Sequence, residues 1–352
     1  MKKMKIKQGT RAWENAKETR IGSSEVFDIV RYYATNDELY NCGFDAKMFK
    51  EETPFVTAWA LYHKVLNDGI YKKPLLEPQF AEYGLAMESF GMRVLQMGRT
   101  NKLKKGNVFI SDKLIASLDI SGISEPIDAK EFDFGGGFVP MGKPFVCEQK
   151  TISPYKHNLP FKYITQAQYQ IDRSKSSFYI LQAMILDEDT PFERGKIVSL
   201  ANTSKRKFYD YVQKKVKVQH IYFNHNEAFS RLIDVCLNRF FEDVKHRREP
   251  MPFIQVDSVQ NIILSIRNNS FYNPELAKEI DLTKYIEAKK ISDEAEKKRK
   301  NILQEIIEFA MVNNCSKFYS EDGSVASFSA NGRFLVKEAK ETEDDWIKTI
   351  SR

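Results

Sequence analysis

The stretch Phe145-Val146-Cys147-Glu148-Gln149-Lys150-Thr151 sets an acid and a lysine two residues apart behind an apolar run, and Ser153-Pro154 closes it. In a β-strand alternate side chains share a face, so Glu148 and Lys150 project together while Gln149 points away. A carboxylate beside an ammonium on one rigid face can hold a divalent cation and steer water toward phosphorus. The matching reaction is phosphodiester hydrolysis. There a hard cation on oxygen ligands polarises the phosphate and neutralises charge on the departing oxygen.

One acid does not make such a site. Asp119 closes the nearly uncharged strand-like piece Lys113–Ile120 and would supply a second carboxylate if the two strands lie side by side. The carbonyl of Gln149 would add a third oxygen. Lys150 would position or deprotonate the attacking water, and crowding against bound metal should lower its pKa. Glu88 would add an outer or second-metal ligand from a helix running from Gln79 to about Met97. It shares a line on that helix with Gly84 and Gly91. Glycine is costly inside a helix, so the two suggest a close contact there. The tripeptide pattern alone means little, because Glu287-Ala288-Lys289 and Glu338-Ala339-Lys340 repeat it in charged or helical surroundings. The ordered set is what carries the meaning.

The elements that must position these residues follow from periodicity and punctuation. Residues 8–33 read as two short helices, with Trp13 anchoring the first and Ser23 or Ser24 capping the second. Arg20 beside those hydroxyls, at a helix start, suits a phosphate; a plain capped turn is the alternative. A helix over Phe55–Leu66 precedes the Glu88 helix, whose buried stripe is expected to be Phe80, Met87, Val94 and Leu95. Lys102, Lys104 and Lys105 read as a solvated loop before a strand at Asn107–Ser111. Ser121–Lys143, with Gly135-Gly136-Gly137, reads as an inserted hairpin or loop; it lacks the ending of a phosphate loop. A helix from Phe161 to about Asp172 carries Tyr163, Gln166, Gln168, Tyr169 and Gln170. Gln166 and Gln170 share a face and could orient water or hold a DNA backbone, against the plain reading of a solvent-facing polar helix.

Further strands are expected at Phe178–Leu186, Lys196–Ala201 and Val216–Phe223. A basic helix is expected between Lys205 and Lys215, and a longer one over Glu227–Val244. Pro250 and Pro252 mark a boundary between a domain of residues 1–253 and an extension of residues 254–352. In the extension Ser258–Ile266 and Pro274–Phe309 read as helical. Ser316–Val336 reads as a hairpin region around Asp322-Gly323 and Asn331-Gly332.

The bulk composition is permissive. The chain has 352 residues, 42% of them hydrophobic, and a net charge of +6, which allows a polyanionic partner without requiring one. Its four cysteines, Cys42, Cys147, Cys236 and Cys315, include no CxxC pair, which argues against a zinc or iron–sulfur site of usual spacing. The absence of a membrane-length apolar run and of a signal peptide reads as a soluble, cytoplasmic protein with no membrane partner.

The ordered set resembles the lambda-exonuclease/YqaJ-type viral recombinase family of PD-(D/E)XK nucleases, over roughly Gln8 to Val244. Gln8-Gly9-Thr10 with Trp13, then Arg20 and Gly22-Ser23-Ser24, is similar to that family's opening motif, whose arginine and serine hold a 5′ phosphate. Tyr83-Gly84 with Glu88 resembles its helix glutamate motif, and Ser117-Leu118-Asp119 its Ser-Pro-Asp. Glu148-Gln149-Lys150 matches its Glu-x-Lys, and Tyr163 with Gln166-Ala167-Gln168-Tyr169 its glutamine helix. Leu118 stands where proline is usual, Ile120 where glycine usually follows, and the segment from Asp119 to Glu148 is long.

The resemblance implies an α/β restriction-endonuclease-like core with a mixed central sheet flanked by helices. It implies a Mg2+-dependent exonuclease, with Mn2+ as a substitute ion, acting on double-stranded DNA ends. Resection from the 5′ end would leave 3′ overhangs for a single-strand annealing protein in phage-type recombination. A homo-oligomeric ring is an assembly some members adopt. Catalytic roles fall on Asp119, Glu148, Lys150, Gln166 and Glu88, metal binding on Asp119, Glu148, Gln149 and Glu88. DNA contacts fall on Arg20, Ser23, Ser24, Tyr163, Gln168 and Gln170. Two rivals remain. One is a structure-specific or restriction-like endonuclease on the same fold, and the other a non-catalytic recombination adaptor working through residues 254–352.

Overall fold

The computed structural model describes residues 1–352 except 5, 7–8, 72–77, 131–138, 140, 153–159, 187–189, 254, 270–282, 314–316, 320–324, 329–333 and 338–352. Gln8, Pro74, the triple glycine, Ser153-Pro154, Pro274, Cys315 and the Asp322-Gly323 and Asn331-Gly332 turns therefore lie outside the described residues.

Two compact units form, Met1–Phe271 and Tyr272–Arg352. The first holds a mixed sheet. Its path is β1 (Lys2–Met4), β3 (Lys104–Ile110), β4 (Leu114–Ile123), β5 (Pro144–Ile152), β6 (Phe178–Leu186) and β7 (Val216–Asn224). The two-residue β2 (Ile21–Gly22) pairs in parallel with β4. Along the path β5 and β6 run parallel and the other neighbours antiparallel. Every residue of β6 is buried, as a central strand covered on both faces must be.

The helices of this unit are, in order, α1 (Arg11–Glu18), α2 (Val26–Tyr33), α3 (Asn36–Asn41), α4 (Ala46–Glu51), α5 (Ala58–Leu66), α6 (Pro78–Gln96), α7 (Pro126–Lys130), α8 (Phe161–Ser174), α9 (Pro191–Thr203), α10 (Lys205–Lys215), α11 (Glu227–Lys245) and α12 (Val259–Asn269). Helix α8 is the crossover between the parallel strands and covers one sheet face. There Ala167 and Ile171 pack on Leu118, Val146, Tyr179 and Leu181. Beyond it, Tyr169 joins an apolar cluster with α2 and α11, including Phe27, Phe229 and Phe240. Helix α6 covers the opposite face. Leu95 packs with Ile120, Phe145 and Cys147, and Met87 with Met184 and Leu186.

Several sequence expectations are corrected. Lys196–Ala201 is the interior of α9, not a strand. Thr190 caps that helix by accepting from the Glu193 amide at 3.2 Å, and proline occupies its first turn. Lys104 and Lys105 belong to β3 and not to a loop. Asp119 lies inside β4, which continues to Ile123, and Pro126–Lys130 is helical. Phe80 is 39% exposed, and Tyr83 and Phe90 take its place in the buried stripe of α6. Neither serine caps α2: a single 3-10 turn, Ser23–Glu25, intervenes, and the Glu25 carboxylate accepts from the Gly22 amide at 2.7 Å.

Of the extension, residues 255–269 sit within the first compact unit. Thr57 Oγ1 donates to Asp257 Oδ1 at 2.6 Å, and Ser265 Oγ to Glu249 Oε1 at 2.7 Å. The second unit contains α13 (Thr283–Asn313) and an antiparallel sheet of β8 (Lys317–Tyr319), β9 (Val325–Phe328) and β10 (Phe334–Lys337). Cys42, Cys147 and Cys236 are free thiols. Among the described residues no helix is long and apolar enough to cross a membrane.

Candidate active site

The site forms where β4 and β5 part. Their pairing runs from Ile123↔Pro144 to Ile120↔Cys147 and stops short of Asp119 and Glu148. Instead of a ladder bond, the Gln149 amide donates to Asp119 Oδ2 at 2.9 Å. An extended residue turns its N–H and C=O to the same edge, so the Gln149 carbonyl faces the same opening. On the other side of β4 the ladder to β3 skips Gly106, between the pairs Lys105↔Ile120 and Asn107↔Leu118. Gly106 has φ +74°, which other residues rarely adopt. Leu118 packs under α8 and Ile120 under α6, so the side-chain alternation of β4 switches across Asp119. Irregularities of this kind re-aim a side chain. Gly106 was not singled out from the sequence; a glycine inside an otherwise strand-like run was the available signal.

Glu148 is the hub. Its Oε1 accepts from Lys150 Nζ and from Gln166 Nε2, both at 2.7 Å, and its Oε2 accepts from Gln170 Nε2 at 3.1 Å. Gln170 Nε2 also lies 3.0 Å from the Ser117 carbonyl and 3.2 Å from Ser23 Oγ. Trp13 Nε1 donates to Ser117 Oγ at 2.9 Å, tying α1 to β4. Lys150 Nζ stands 5.7 Å from the centre of the Tyr163 ring. Gln166 and Gln170 are buried, so α8 is not the solvent-facing helix of the plain reading. Its glutamines fix the orientation of Glu148.

The charges are out of balance. Burial and the neighbouring Glu148 carboxylate push Asp119 up to about 8, against the downward pull of Lys150 and the Gln149 amide. Burial alone would lower Lys150, but Glu148 and Asp119 outweigh it and raise the ammonium above its usual value. The Oε1 of Gln170 is buried and has no partner among the described residues. Two carboxylates and a strand carbonyl thus gather beside one ammonium, with an unmet amide oxygen on the neighbouring Gln170. Such a hard-oxygen, electron-rich set fits a small divalent cation.

Glu88 lies near enough for its charge to add to the rise of Asp119. Glu88 pairs with Lys105 at 3.2 Å. Among the described residues no three His, Cys, Asp or Glu side chains form a group able to hold a metal ion. Helix α6 also meets β5 at Gln149. Turned with its oxygen toward the Met92 amide, the Gln149 carboxamide lies 2.9 Å from that nitrogen and 3.2 Å from the Glu88 carbonyl. It is also 2.7 Å from the carboxamide of Gln182, the lone polar residue of β6. The close contact expected on this helix is at Gly91, where an added Cβ would fall 2.1 Å from the Gln149 carboxamide; at Gly84 nothing lies within 4 Å.

Arg20 spends its guanidinium on backbone, donating to the Ser111 and Ala16 carbonyls at 2.9 and 3.0 Å. Gln168 bridges the β7–α11 joint, donating to the Asn224 carbonyl at 2.7 Å and accepting from the Asn226 amide at 2.8 Å. Ser23 is buried against Gln170, whereas Ser24 is half-buried. A cavity of about 390 Å³ lined by Lys17, Glu25, His63, Lys64 and Tyr71 does not include Asp119, Glu148 or Lys150.

No protein-family model matches the chain, and no curated protein matches it. Solved structures give faint likenesses. LHK-Exo in complex with dAMP is 13% identical over 68% of this chain and 94% of that one, at a TM-score of 0.39. The alkaline exonuclease LHK-Exo from Laribacter hongkongensis is 12% identical over 68% and 96%, at 0.37. A phage-related exonuclease from Haemophilus somnus is 9% identical over 66% and 97%, at 0.38. Likenesses of that strength assign neither fold nor activity, so the side chains must carry the reading.

Proposed function

We propose that the chain is a divalent-cation-dependent deoxyribonuclease with a restriction-endonuclease-like core, acting as an exonuclease on ends of duplex DNA. The observation that carries this is the meeting of Asp119, Glu148 and Lys150 where β4 and β5 part, with Glu148 held by Lys150, Gln166 and Gln170. Asp119, Glu148 and the Gln149 carbonyl would hold Mg2+ or Mn2+, with Glu88 available as an outer acid. When bound, the cation lowers the pKa of a water and offsets charge on the phosphate.

The chain's own groups do the rest. Without the cation, Glu148 and Asp119 raise Lys150 and hold it as an ammonium, a donor and positive charge beside the position of the phosphate. Its bond to Glu148 aims that charge at the opening between the strands. Gln166 and Gln170 keep Glu148 from rotating away, and Tyr163 walls the ammonium. Ser23, with Gln170 beside it and Arg20 bracing the preceding turn, would receive the terminal 5′ phosphate. Polarity from 5′ to 3′, a single-strand annealing partner and a ring-shaped assembly belong to the same reading through the sequence motifs.

Linear duplex labelled at either end, and a circular duplex of the same sequence, would be incubated with Mg2+ or with chelator. The expected result is stepwise loss of the 5′ label from the linear form only, and only with Mg2+. Cleavage of the circle would turn the reading to an endonuclease. No hydrolysis under any condition would overturn it.

A further inference from the structure

A groove of about 420 Å³ opens on the α8 side of the sheet, between β1, β3, β4, the start of β5 and the end of α8. Lys3, Lys102 and Lys104 line it with Asn107, Ser174 and Ser176, and no carboxylate does. None of the three ammonium groups has an ion-pair partner among the described residues, whereas Lys105, one residue on, is paired with Glu88. The hydroxyls are held in place. Ser174 Oγ donates to the Gln170 carbonyl at 2.6 Å, Ser176 Oγ lies 2.9 Å from it, and Asn107 Nδ2 donates to Ser121 Oγ at 2.6 Å. The last turn of α8 presents no bare carbonyl at Ile171, which accepts from the Ser176 amide at 3.1 Å. Three unpaired cations beside fixed hydroxyls and an amide, with an apolar floor from Leu118 and Val146, describe a site for phosphate oxygens alongside a less polar body.

We infer that this groove holds the sugar–phosphate backbone of the nucleic-acid strand that continues from the hydrolytic centre. Its floor residues are Leu118, next to Asp119, and Val146, two residues before Glu148 on the same strand face. Pro144, at its far end, is four residues from Glu148, about 13 Å at about 3.3 Å per residue. At about 3.4 Å of axis per phosphate on each strand, that spans about four nucleotides. The proposal rests on the nuclease reading for the direction of the strand, but not for its chemistry: an unpaired lysine cluster recognises phosphodiesters whether or not they are cut.

The test is binding in chelator, where cleavage is excluded, by anisotropy of a labelled duplex across a salt series. Full-length wild type is compared with Lys102→Gln/Lys104→Gln and with Lys205→Gln/Lys207→Gln, a charge-matched change on α10. Each phosphate contact contributes a slope of about 0.9 in log K against log salt, so the groove variant should lose about 1.8 and bind roughly tenfold more weakly at moderate salt. The α10 variant should lose less than half as much. An unchanged slope in the groove variant, or an equal loss from α10, overturns the assignment. Inorganic phosphate at the same phosphate concentration should leave the complex intact; release by it would make the groove a small-anion site and overturn the polymer. Wild type that binds with full slope yet never hydrolyses DNA would sink the nuclease reading alone. Hydrolysis with an unchanged slope would sink the groove alone.

Discussion

Arg99 and Asp128, with side-chain exposures of 1% and 0%, meet as a two-point ion pair in which Arg99 Nη1 donates to Asp128 Oδ2 at 2.9 Å. Asp128 Oδ2 also accepts from the Glu125 amide at 2.8 Å. The Glu125 carboxylate in turn accepts from the Thr100 and Asn101 amides at 2.9 and 2.6 Å. Both carboxylates there are met by donors. Around Glu148 the same two carboxylates and one cation are less well met: Asp119 rises to about 8, and a buried glutamine oxygen has no donor among the described residues. A buried cluster whose acids all find donors organises a turn. One less well met that the fold nevertheless assembles, at the cost of a broken ladder on both sides of β4, is arranged for something that arrives later.

The comparison can be broken from either side. Lys150→Met should reduce DNA hydrolysis roughly 10³-fold, read as acid-soluble nucleotide, while far-ultraviolet circular dichroism stays unchanged; a normal rate would take Lys150 out of the site. Asp128→Ala should do the opposite. It leaves Arg99 buried without its carboxylate and should cost about 3–5 kcal/mol in urea unfolding, with specific activity of the folded protein retained. Equal stability would mean that this pair is not organising the turn.

Gly91→Ala probes the contact between α6 and β5. An added methyl would meet the carboxamides of Gln149 at 2.1 Å and Gln182 at 2.6 Å. A destabilisation of about 1–3 kcal/mol is expected, together with a fall in activity because Gln149 carries both the amide that holds Asp119 and the carbonyl at the opening. Gly84→Ala, with nothing within 4 Å, is the control.

The smallest effect is on pH. Asp119 titrates in the folded chain near 8, above its usual 3.8, so the folded state binds the extra proton across that window. Stability of the metal-free protein from this group therefore falls as pH rises from about 4 to about 8. The melting temperature of Asp119→Asn in chelator should fall less over that range than that of wild type; parallel curves would remove the imbalance.

The chemistry was more legible in the sequence than its supports. Glu148 and Lys150 could be placed on one face because strand alternation is local, and Phe178–Leu186 because an apolar run of strand length is hard to misplace. Lys196–Ala201 was misread because Ile197, Val198 and Leu200 look strand-like over a short window, while the stronger Thr190–Pro191 helix start lay upstream. Glu88 and Gln168 could not be judged from spacing. Their partners, Lys105 and the 224–226 backbone, are remote in sequence and become neighbours only through sheet order. The break at Asp119 lies opposite Gly106 on an adjacent strand, whose positive φ no motif encodes.

Asp119→Asn keeps an oxygen for the Gln149 amide while removing one of the two negative charges, so it separates chemistry from architecture in a single protein. Digestion of linear duplex DNA with Mg2+ by this variant is the most direct measurement. Loss of hydrolysis with a melting temperature in chelator at or above that of wild type is the predicted result, and undiminished digestion would contradict it.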